Sequence, residues 1–323
     1  MSRIALSIIL FAAAALQAGG TYAQAYPTRP VRVIVPAAPG DSCDVLARLI
    51  GQKVGERLGQ QLTVDNRLGA GGQLGLQLIA QAKPDGYTIG CGQGGNMVIV
   101  PIAYKKVAYD TMKDFVPIQL PVTNFLGLVV HPTVPFKNVK DLVDYGRANP
   151  GKLVFGSNGE GAFIHFSVEL LRSLGKFTYL HVPYNGVAPI MTDLMSGRLD
   201  STITSFVSVK PFVDSGRLKL LAIGRATRSP KYPQYPTIAE TLPGYENGGW
   251  FGFIGPAGMS REQVVLLNKE MNRAVMLPDV REKLDSYGLE IHAESPEFFA
   301  NRIRQDFEKW GKVARDMGFK QLE

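Results

Sequence analysis

The sequence predicts an α/β protein with two domains joined by a two-strand hinge. Three observations support this prediction. Strand-like and helix-like segments alternate between residues 31 and 91 and again between 126 and 223, as in sheets covered by crossover helices. The 323 residues are too many for one small domain. Three helical segments follow a strand at 250–254 with no strand-like run between them, so we expect them to pack back on the first domain.

The elements of the first unit follow from periodicity and turn residues. Residues 31–35 are a short β-branched run that Pro36 ends, and the apolar side chains of 45–58 recur on one helical face. In chain order we predict strand 31–35, helix 45–58, strand 62–64, helix 72–82 and, after the Pro-Asp-Gly turn at 84–86, strand 87–91.

The alternation restarts after the first crossing. We predict strand 126–130, helix 139–148, strand 153–156, helix 162–174, strand 179–182, helix 188–196, and strands 199–204 and 218–223. A proline-rich connection at 229–243 leads to strand 250–254 and to helices 261–275, 278–287 and 296–317. The chain therefore crosses near 122–126 and 223–230. The first domain is expected at 26–123 plus 231–323, and the second at 124–230.

The first 25 residues predict a signal peptide. Arg3 is their only charge, an apolar run covers 4–16, and Ala-Gln-Ala at 23–25 matches a cleavage pattern. The run is shorter than the roughly 20 residues that cross a bilayer, which disfavours the alternative of an N-terminal anchor. No cysteine follows it, so a lipid anchor is not indicated. We expect cleavage after Ala25 and a periplasmic mature chain.

Charge and cysteine content narrow the class further. The formal net charge is +7, but the positive residues are scattered without a long block, which argues against a nucleic-acid or membrane-surface patch. The two cysteines, Cys43 and Cys91, follow or end predicted strands. If those strands are neighbours, the two thiols can pair in an oxidising compartment. The alternative is two small buried thiols.

Two Gly-containing turns lead from a strand into a helix, where free backbone amides form anion sites. The first turn, 36–44, contains Gly40, with Asp41 and Asp44 spaced as N-cap and N3 residues. A capped helix without a ligand is its alternative interpretation. The second turn, 156–165, offers the Ser157 hydroxyl and amides near Gly159 and Gly161. His165, one turn into that helix, is either a ligand contact or a structural hydrogen-bonding group.

Residues 90–95 match G-x-G-x-x-G, but after the third strand and before Pro101, so dinucleotide binding is disfavoured. A close backbone approach to a small ligand near Gln93 is favoured instead. No catalytic or metal motif is present. Neither Ser157 nor Ser42 has both glycines of a nucleophile elbow, and there is no H-E-x-x-H, C-x-x-C or P-loop lysine. We therefore expect no enzymatic activity, cofactor or metal.

A series of short motifs over nearly the whole mature chain resembles one family. The motifs are 26–30 (YPTRP), 36–44, 66–72 (NRLGAGG), 83–87 (KPDGY), 148–152 (ANPGK), 182–186 (VPYNG) with 188–189 (AP), 193–200, 228–230 (RSP), 250–252 (WFG) and 256–258 (PAG). Each is weak singly, but the ordered set is specific. The chain resembles the Bug-type solute-binding receptors of tripartite tricarboxylate transporters.

This resemblance implies the type 2 periplasmic binding protein fold, in which two α/β domains close on a ligand in the cleft between them. It implies a monomeric receptor that binds a small organic carboxylate and passes it to two membrane subunits of a secondary transporter. The expected ligand-binding residues lie on the two loops and on neighbouring segments: Ala37, Ala38, Gly40, Asp41, Ser42, Gln93, Ser157, Asn158, Gly159, Gly161, Ala162, Phe163, His165, Tyr184, Thr204 and Ser205.

The sequence departs from the family pattern at the expected ligand loops. Asp41 replaces the second of two glycines, Ala162 stands where a small hydroxyl residue is common, and bulky Phe163 follows it. Leu68 replaces a common proline. Asp41 would repel a carboxylate unless it caps the helix or meets a donor, and Phe163 could stack on a ring. One hypothesis is a ligand with an aromatic or amino-bearing portion beside its carboxylate.

Two alternative functions remain at the level of sequence. The same fold could present its bound ligand to a membrane sensor kinase, and a gene deletion would then abolish induction instead of uptake. A secreted hydrolase is the second alternative. It would need a nucleophile–base pair in the cleft.

Overall fold

The computed structural model describes residues 26–323. The expected signal peptide and its cleavage after Ala25 lie outside the described residues. No helix within 26–323 combines the length and apolar character that crossing a membrane requires.

One group of elements builds a six-stranded sheet with the order β11-β4-β10-β3-β1-β2. Strand β1 is parallel to β2 and β3, whereas β10 is antiparallel to β3 and β4. The elements of this unit are, in chain order, β1 (Val31–Val35), α1 (Ser42–Leu58), β2 (Leu62–Asn66), α2 (Gln73–Ala80), β3 (Thr88–Gln93), a π-helical turn (Gly95–Ile99) continued by α3 (Val100–Ala103), and β4 (Phe115–Thr123).

The second group builds a five-stranded sheet with the order β7-β6-β8-β5-β9. Strand β6 is parallel to β7 and β8, and β5 is antiparallel to β8 and β9. Its elements are β5 (Leu126–Val130), α4 (Val139–Ala148), β6 (Val154–Ser157), α5 (Phe163–Gly175), β7 (Leu180–Pro183), α6 (Val187–Met195), β8 (Ser201–Ser205), α7 (Phe206–Asp214) and β9 (Lys219–Ile223).

The chain then returns to the first sheet through β10 (Trp250–Pro256), α8 (Arg261–Val275), α9 (Pro278–Ser286), β11 (Glu290–Ile291) and α10 (Pro296–Asp316). Local signals explain several boundaries. The Ser260 side chain caps α8 in a reciprocal capping box with Gln263, and Gly59 ends α1 in the left-handed conformation.

Four expectations about the elements need correction. Both sheets are mixed instead of parallel, because β10 and β5 run against their neighbours. Strand β4 was not expected, since Pro117 and Pro121 interrupt its pattern. Pro117 lies where β4 pairs with β10 but not with β11, so it disturbs few ladder bonds. Helix α7 was also not expected. The short β11 lies between α9 and α10, where no strand was expected.

Tyrosine side chains between residues 231 and 247 contact helices of the second unit. Tyr232 and Tyr235 pack on Phe206 of α7, with ring centroids 4.8 and 5.4 Å away. The Tyr245 hydroxyl donates to the Ser167 carbonyl of α5 at 3.1 Å. These contacts lie after the crossing that is expected at 223–230. We propose that residues 231–247 belong to the second domain and that the crossing is at 247–250.

The apolar core is continuous between the two units behind the crossing strands. Trp310 of α10 packs edge-on against Phe163 and Phe166 of α5, with centroids 5.4 and 6.4 Å away. The same helix packs on the first sheet, where Phe299 contacts Trp250 at 5.0 Å. Helix α10 therefore links the two units, although the sequence assigned it only to the first.

Candidate functional site

Asn124, between β4 and β5, lines three cavities between the units, and two of these also contain residues of the expected ligand loops. The larger has a volume of about 430 Å³ and the smaller about 170 Å³. The larger cavity is lined by the second loop and by aromatic side chains, including Tyr104, Phe163, Trp250 and Phe251. The smaller cavity is lined by the first loop and by α7, including Gly40, Ser42, Ser205, Ser208 and Tyr287.

The first loop is held by Asp44. Gly40, at a φ of +85°, donates its N–H to Asp44 Oδ2 at 2.9 Å. Arg48 Nε and Asn66 Nδ2 donate to the same buried carboxylate at 2.9 and 3.0 Å. Hydrogen bonding to Arg48, with further bonds from Gly40 and Asn66, lowers the pKa of Asp44 to about 2 despite its burial. The loop is therefore fixed by an anion that stays ionised.

Asp41 caps α1 instead of facing a cavity. Its exposed carboxylate accepts from the Cys43 N–H at 3.1 Å and lines neither cavity. Ala37 and Ala38 form the preceding turn and also line neither cavity; the Ala38 carbonyl accepts from the Asp41 N–H. The start of α1 is thus partly occupied by its own cap, which removes the argument that Asp41 selects an amino-bearing ligand.

A disulfide joins Cys43 in the first turn of α1 to Cys91 in β3, with their Cα atoms 5.9 Å apart. It ties the start of α1 to the strand that ends at Gln93. Gln93 lines the larger cavity together with Gly94 and Gly95.

The second loop begins α5 without a side-chain cap. Ala162 is the N-cap residue and carries no hydrogen-bonding group, so the first amides of this 13-residue helix have no side-chain acceptor. Asn158, Gly159, Gly161, Ala162 and Phe163 all line the larger cavity. The two anion sites expected from the sequence are therefore unequal: the start of α5 is free, whereas that of α1 is capped.

Two expected contacts lie beneath the second loop instead of in the cavity. Ser157 is fully buried, and its Oγ lies 2.6 Å from His181 Nε2. His165 is also buried and stacks on His181 with ring centroids 4.0 Å apart. Ser157 and His181 are residue types that a hydrolase pairs, but the Ser157 hydroxyl also donates to the Gly159 carbonyl and Ser157 lines neither cavity.

Two further expected residues also point elsewhere. The Tyr184 hydroxyl donates to Asp193 at 2.8 Å, and Thr204 is buried in β8. Ser205 lines the smaller cavity at the start of α7.

Several lining residues were missed from the sequence. Asn124 lines both cavities, and its Oδ1, like that of Asn158, is buried without a hydrogen-bond donor among the described residues. A single polar residue between two apolar strand runs at a predicted crossing was a usable signal for Asn124. Tyr104 and Glu160 carried no comparable signal.

The charge of the site comes from one side chain. Among the described residues that line the two cavities, Glu160 is the only charged one and no lysine or arginine is present. An anion bound here would depend on backbone amides and carboxamides. No group of histidine, cysteine and carboxylate side chains within 26–323 has the arrangement of a metal site.

The two units contact each other on both flanks of the cavities. On one flank, Gly161 packs against Ala103 and the Phe319 and Leu322 side chains. On the other, Gly288 packs against Val207 of α7, and Lys231 pairs with Asp285 at 3.3 Å. The cavities are therefore enclosed by residues from both sheets.

Comparison with known proteins places this site in a family. Residues 46–319 match the family described as the tripartite tricarboxylate transporter family receptor. A Pseudomonas sp. (strain P51) relative, the UPF0065 protein in the tcbD-tcbE intergenic region, is 39% identical over 93% of this chain and 91% of its own.

Two solved structures from Rhodopseudomonas palustris share the fold. One, solved with adipate, is 33% identical with a TM-score of 0.79 over 92% of this chain and 100% of its own. The other, MatC with bound malate, is 31% identical with a TM-score of 0.74 over 89% of this chain and 99% of its own. The expected two-domain binding-protein fold is confirmed, and the chain is a solute-binding receptor, not an enzyme. It belongs to the tripartite tricarboxylate transporter receptor family of periplasmic solute-binding proteins.

Proposed function

We propose that this receptor binds a small organic carboxylate in the larger cavity and delivers it to two membrane subunits of a secondary transporter. The observation that carries this proposal is the start of α5, which has no side-chain cap and whose N-cap residue Ala162 and first residue Phe163 line the cavity. Free amides at a helix start bind carboxylates through hydrogen bonds and the helix dipole. The adipate and malate in the two similar structures belong to the same chemical class.

The other residues of the cavity wall restrict the chemistry of the ligand beyond its carboxylate. Tyr104, Phe163 and Trp250 provide aromatic surface that suits a hydrocarbon chain or a ring. The unpaired Oδ1 atoms of Asn124 and Asn158 each need a donor, because a buried acceptor without one is costly. We therefore favour a carboxylate that carries an apolar portion and a hydroxyl or amino group.

A thermal-shift screen of residues 26–323 tests the ligand class. The panel contains aliphatic dicarboxylates, hydroxy acids, amino acids and aromatic acids, with sugars and inorganic cations as negative controls. A ligand at 100 times its Kd stabilises the folded state by about 2.7 kcal/mol, which gives a clear shift in Tm. Shifts only with sugars or cations would overturn the carboxylate proposal, and tight binding of aliphatic acids alone would remove the aromatic option.

Gly95→Leu tests the location of the site. Gly95 lines the larger cavity, and a Cβ placed there meets no atom within 4 Å, so a side chain at this position starts in open space at the cavity wall. We expect at least a tenfold rise in Kd with little change in the ligand-free Tm. Gly311→Ala on α10, outside both cavities, is the matched control. Unchanged affinity in Gly95→Leu would exclude this cavity.

The transport role has its own test. Deletion of the gene is expected to abolish uptake of the ligand found in the screen, and restoring the gene should return it. Normal uptake combined with lost ligand-dependent gene induction would contradict the proposal and support a sensory receptor.

A further inference from the structure

The two loops are held by the same type of hydrogen bond. Gly40 donates its N–H to the Asp44 carboxylate at 2.9 Å, and Gly161 donates its N–H to His165 Nδ1 at 3.0 Å. Both glycines have positive φ angles, +85° and +71°, and both acceptors lie four residues later in the helix that follows. Each loop is therefore fixed by one side chain in the first turn of its helix.

The two acceptors respond differently to protons. An ionised carboxylate accepts hydrogen bonds at both of its oxygens. An imidazole accepts only at a nitrogen without a proton, and both nitrogens carry one in the charged form. The bond from Gly161 therefore requires neutral His165 with its proton on Nε2, which lies 4.0 Å from Glu169 Oε1.

The surroundings of His165 disfavour its charged form. His181 on β7 is stacked on it at an interplanar angle of 7°, so two charged rings would repel each other strongly. Glu169 on α5 is the facing carboxylate, but it already accepts from the Tyr179 hydroxyl and from Arg172, each at 2.6 Å. Burial lowers the pKa of the neighbouring His181, and the negative charge of Glu160, on the second loop, opposes that shift. Phe319, which packs against His165 from the C-terminal segment, is uncharged.

We propose that His165 is a positioning residue that holds Gly161 and the second loop in the ligand-binding geometry only while its imidazole is neutral. Protonation of this one side chain would release Gly161 and weaken ligand binding, whereas the first loop would stay in place. The inference rests on the proposed function, since it takes the second loop as a ligand contact.

The direction of the titration agrees with this geometry. Burial first, and then His181, lowers the pKa of His165 to about 4, and Glu169 opposes them. The pKa of Asp44 is lower still, at about 2. Acidification through pH 4 therefore removes the acceptor for Gly161 before that for Gly40.

Variants at His165 separate positioning from packing at neutral pH. His165→Asn keeps an acceptor oxygen near the place of Nδ1 and does not titrate, whereas His165→Leu removes the acceptor. At pH 7 we expect the Kd of His165→Asn to stay within about threefold of wild type and that of His165→Leu to rise at least tenfold. His131→Asn, at a half-buried histidine that lines neither cavity, is the control. Equal affinity in His165→Leu and wild type would overturn the proposal.

A pH series supplies the second readout. Protonation of the ligand carboxylate affects binding to every variant in the same way. The ratio of the wild-type Kd to the His165→Asn Kd therefore reports only the protonation of His165. That ratio should rise about twofold at pH 4 and continue toward tenfold one pH unit lower. A ratio that stays constant while circular dichroism shows folded protein would contradict the proposal.

NMR of the ligand-free protein keeps this inference separate from the proposed function. The Gly161 amide resonance should move with the titration of the His165 ring, and it should stay fixed in His165→Asn over the same range. If no carboxylate binds wild type at any pH, the proposed function fails, but this titration still tests the His165–Gly161 bond. A Gly161 resonance that ignores the titration of His165 overturns the inference even if ligands bind.

Discussion

Replacing Asp44 by asparagine should weaken the first loop and destabilise the fold in a pH-dependent way. The buried carboxylate accepts hydrogen bonds from Gly40, Arg48 and Asn66. An asparagine side chain has one acceptor oxygen, and its NH₂ group would face donors. The neutral variant therefore loses the charge-assisted bond to Arg48 and leaves at least one donor unpaired.

The magnitude follows from the pKa of Asp44, which falls from 3.8 to about 2 on folding. A depressed carboxyl pKa stabilises the folded state above the unfolded pKa, and this contribution is lost as pH falls toward the folded value. Without solvent screening, this pKa difference corresponds to about 2.4 kcal/mol of stabilisation of the folded state. Because Arg48 is largely exposed, solvent screening reduces the expected loss to about 1–2 kcal/mol.

Urea unfolding of wild type and Asp44→Asn at pH 7 and at pH 2.5 measures this loss. We expect the difference in unfolding free energy to be about 1–2 kcal/mol at pH 7 and to shrink clearly at pH 2.5. Asp214→Asn, in which an exposed carboxylate paired with Lys210 is changed, is the matched control. An equal difference at both pH values would refute the assignment of the stabilisation to the carboxylate charge.

Two other predictions concern the disulfide and the flank of the cavities. The double variant Cys43→Ser with Cys91→Ser should lower the free energy of unfolding by about 4 kcal/mol or less, because the disulfide closes a loop of 48 residues. Calorimetry of oxidised wild type and the double variant measures this loss. Equal Tm values would contradict the prediction. Gly288→Ala should separate the units locally, since its Cβ would lie 2.0 Å from Val207 Cγ2 and its φ is +62°. We expect weaker ligand binding and a lower Tm, and Gly288→Ala combined with Val207→Ala should recover part of both; no recovery would exclude this contact as the cause.

Much of the fold could be predicted because its elements carry regular apolar patterns. Helix 139–148 and strands 31–35 and 126–130 were expected with the boundaries that the structure shows. Strand β4 was missed because its two prolines resemble a breaker pattern, and the effect of Pro117 depends on which part of β4 has a partner on each side. Local sequence does not carry that information.

The site was predicted less completely than the fold. Both loops lie at cavities between the units, but residues such as Ser157 and His165 support the second loop from below instead of lining it. A Gly-rich turn identifies a loop and does not show which of its neighbours face the ligand. The proposed assignment of residues 231–247 to the second domain likewise rests on tertiary contacts, those of two tyrosines with Phe206.

The apolar packing between α5, Trp310 and Phe319 has a thermodynamic consequence for ligand release. Any opening that moves the second loop away from the first unit must hydrate aromatic rings that are now packed together. Exposure of apolar surface raises the heat capacity. A ligand dissociation that includes such an opening therefore has a heat capacity change with a contribution from the protein itself, larger than the buried surface of a small acid alone would produce.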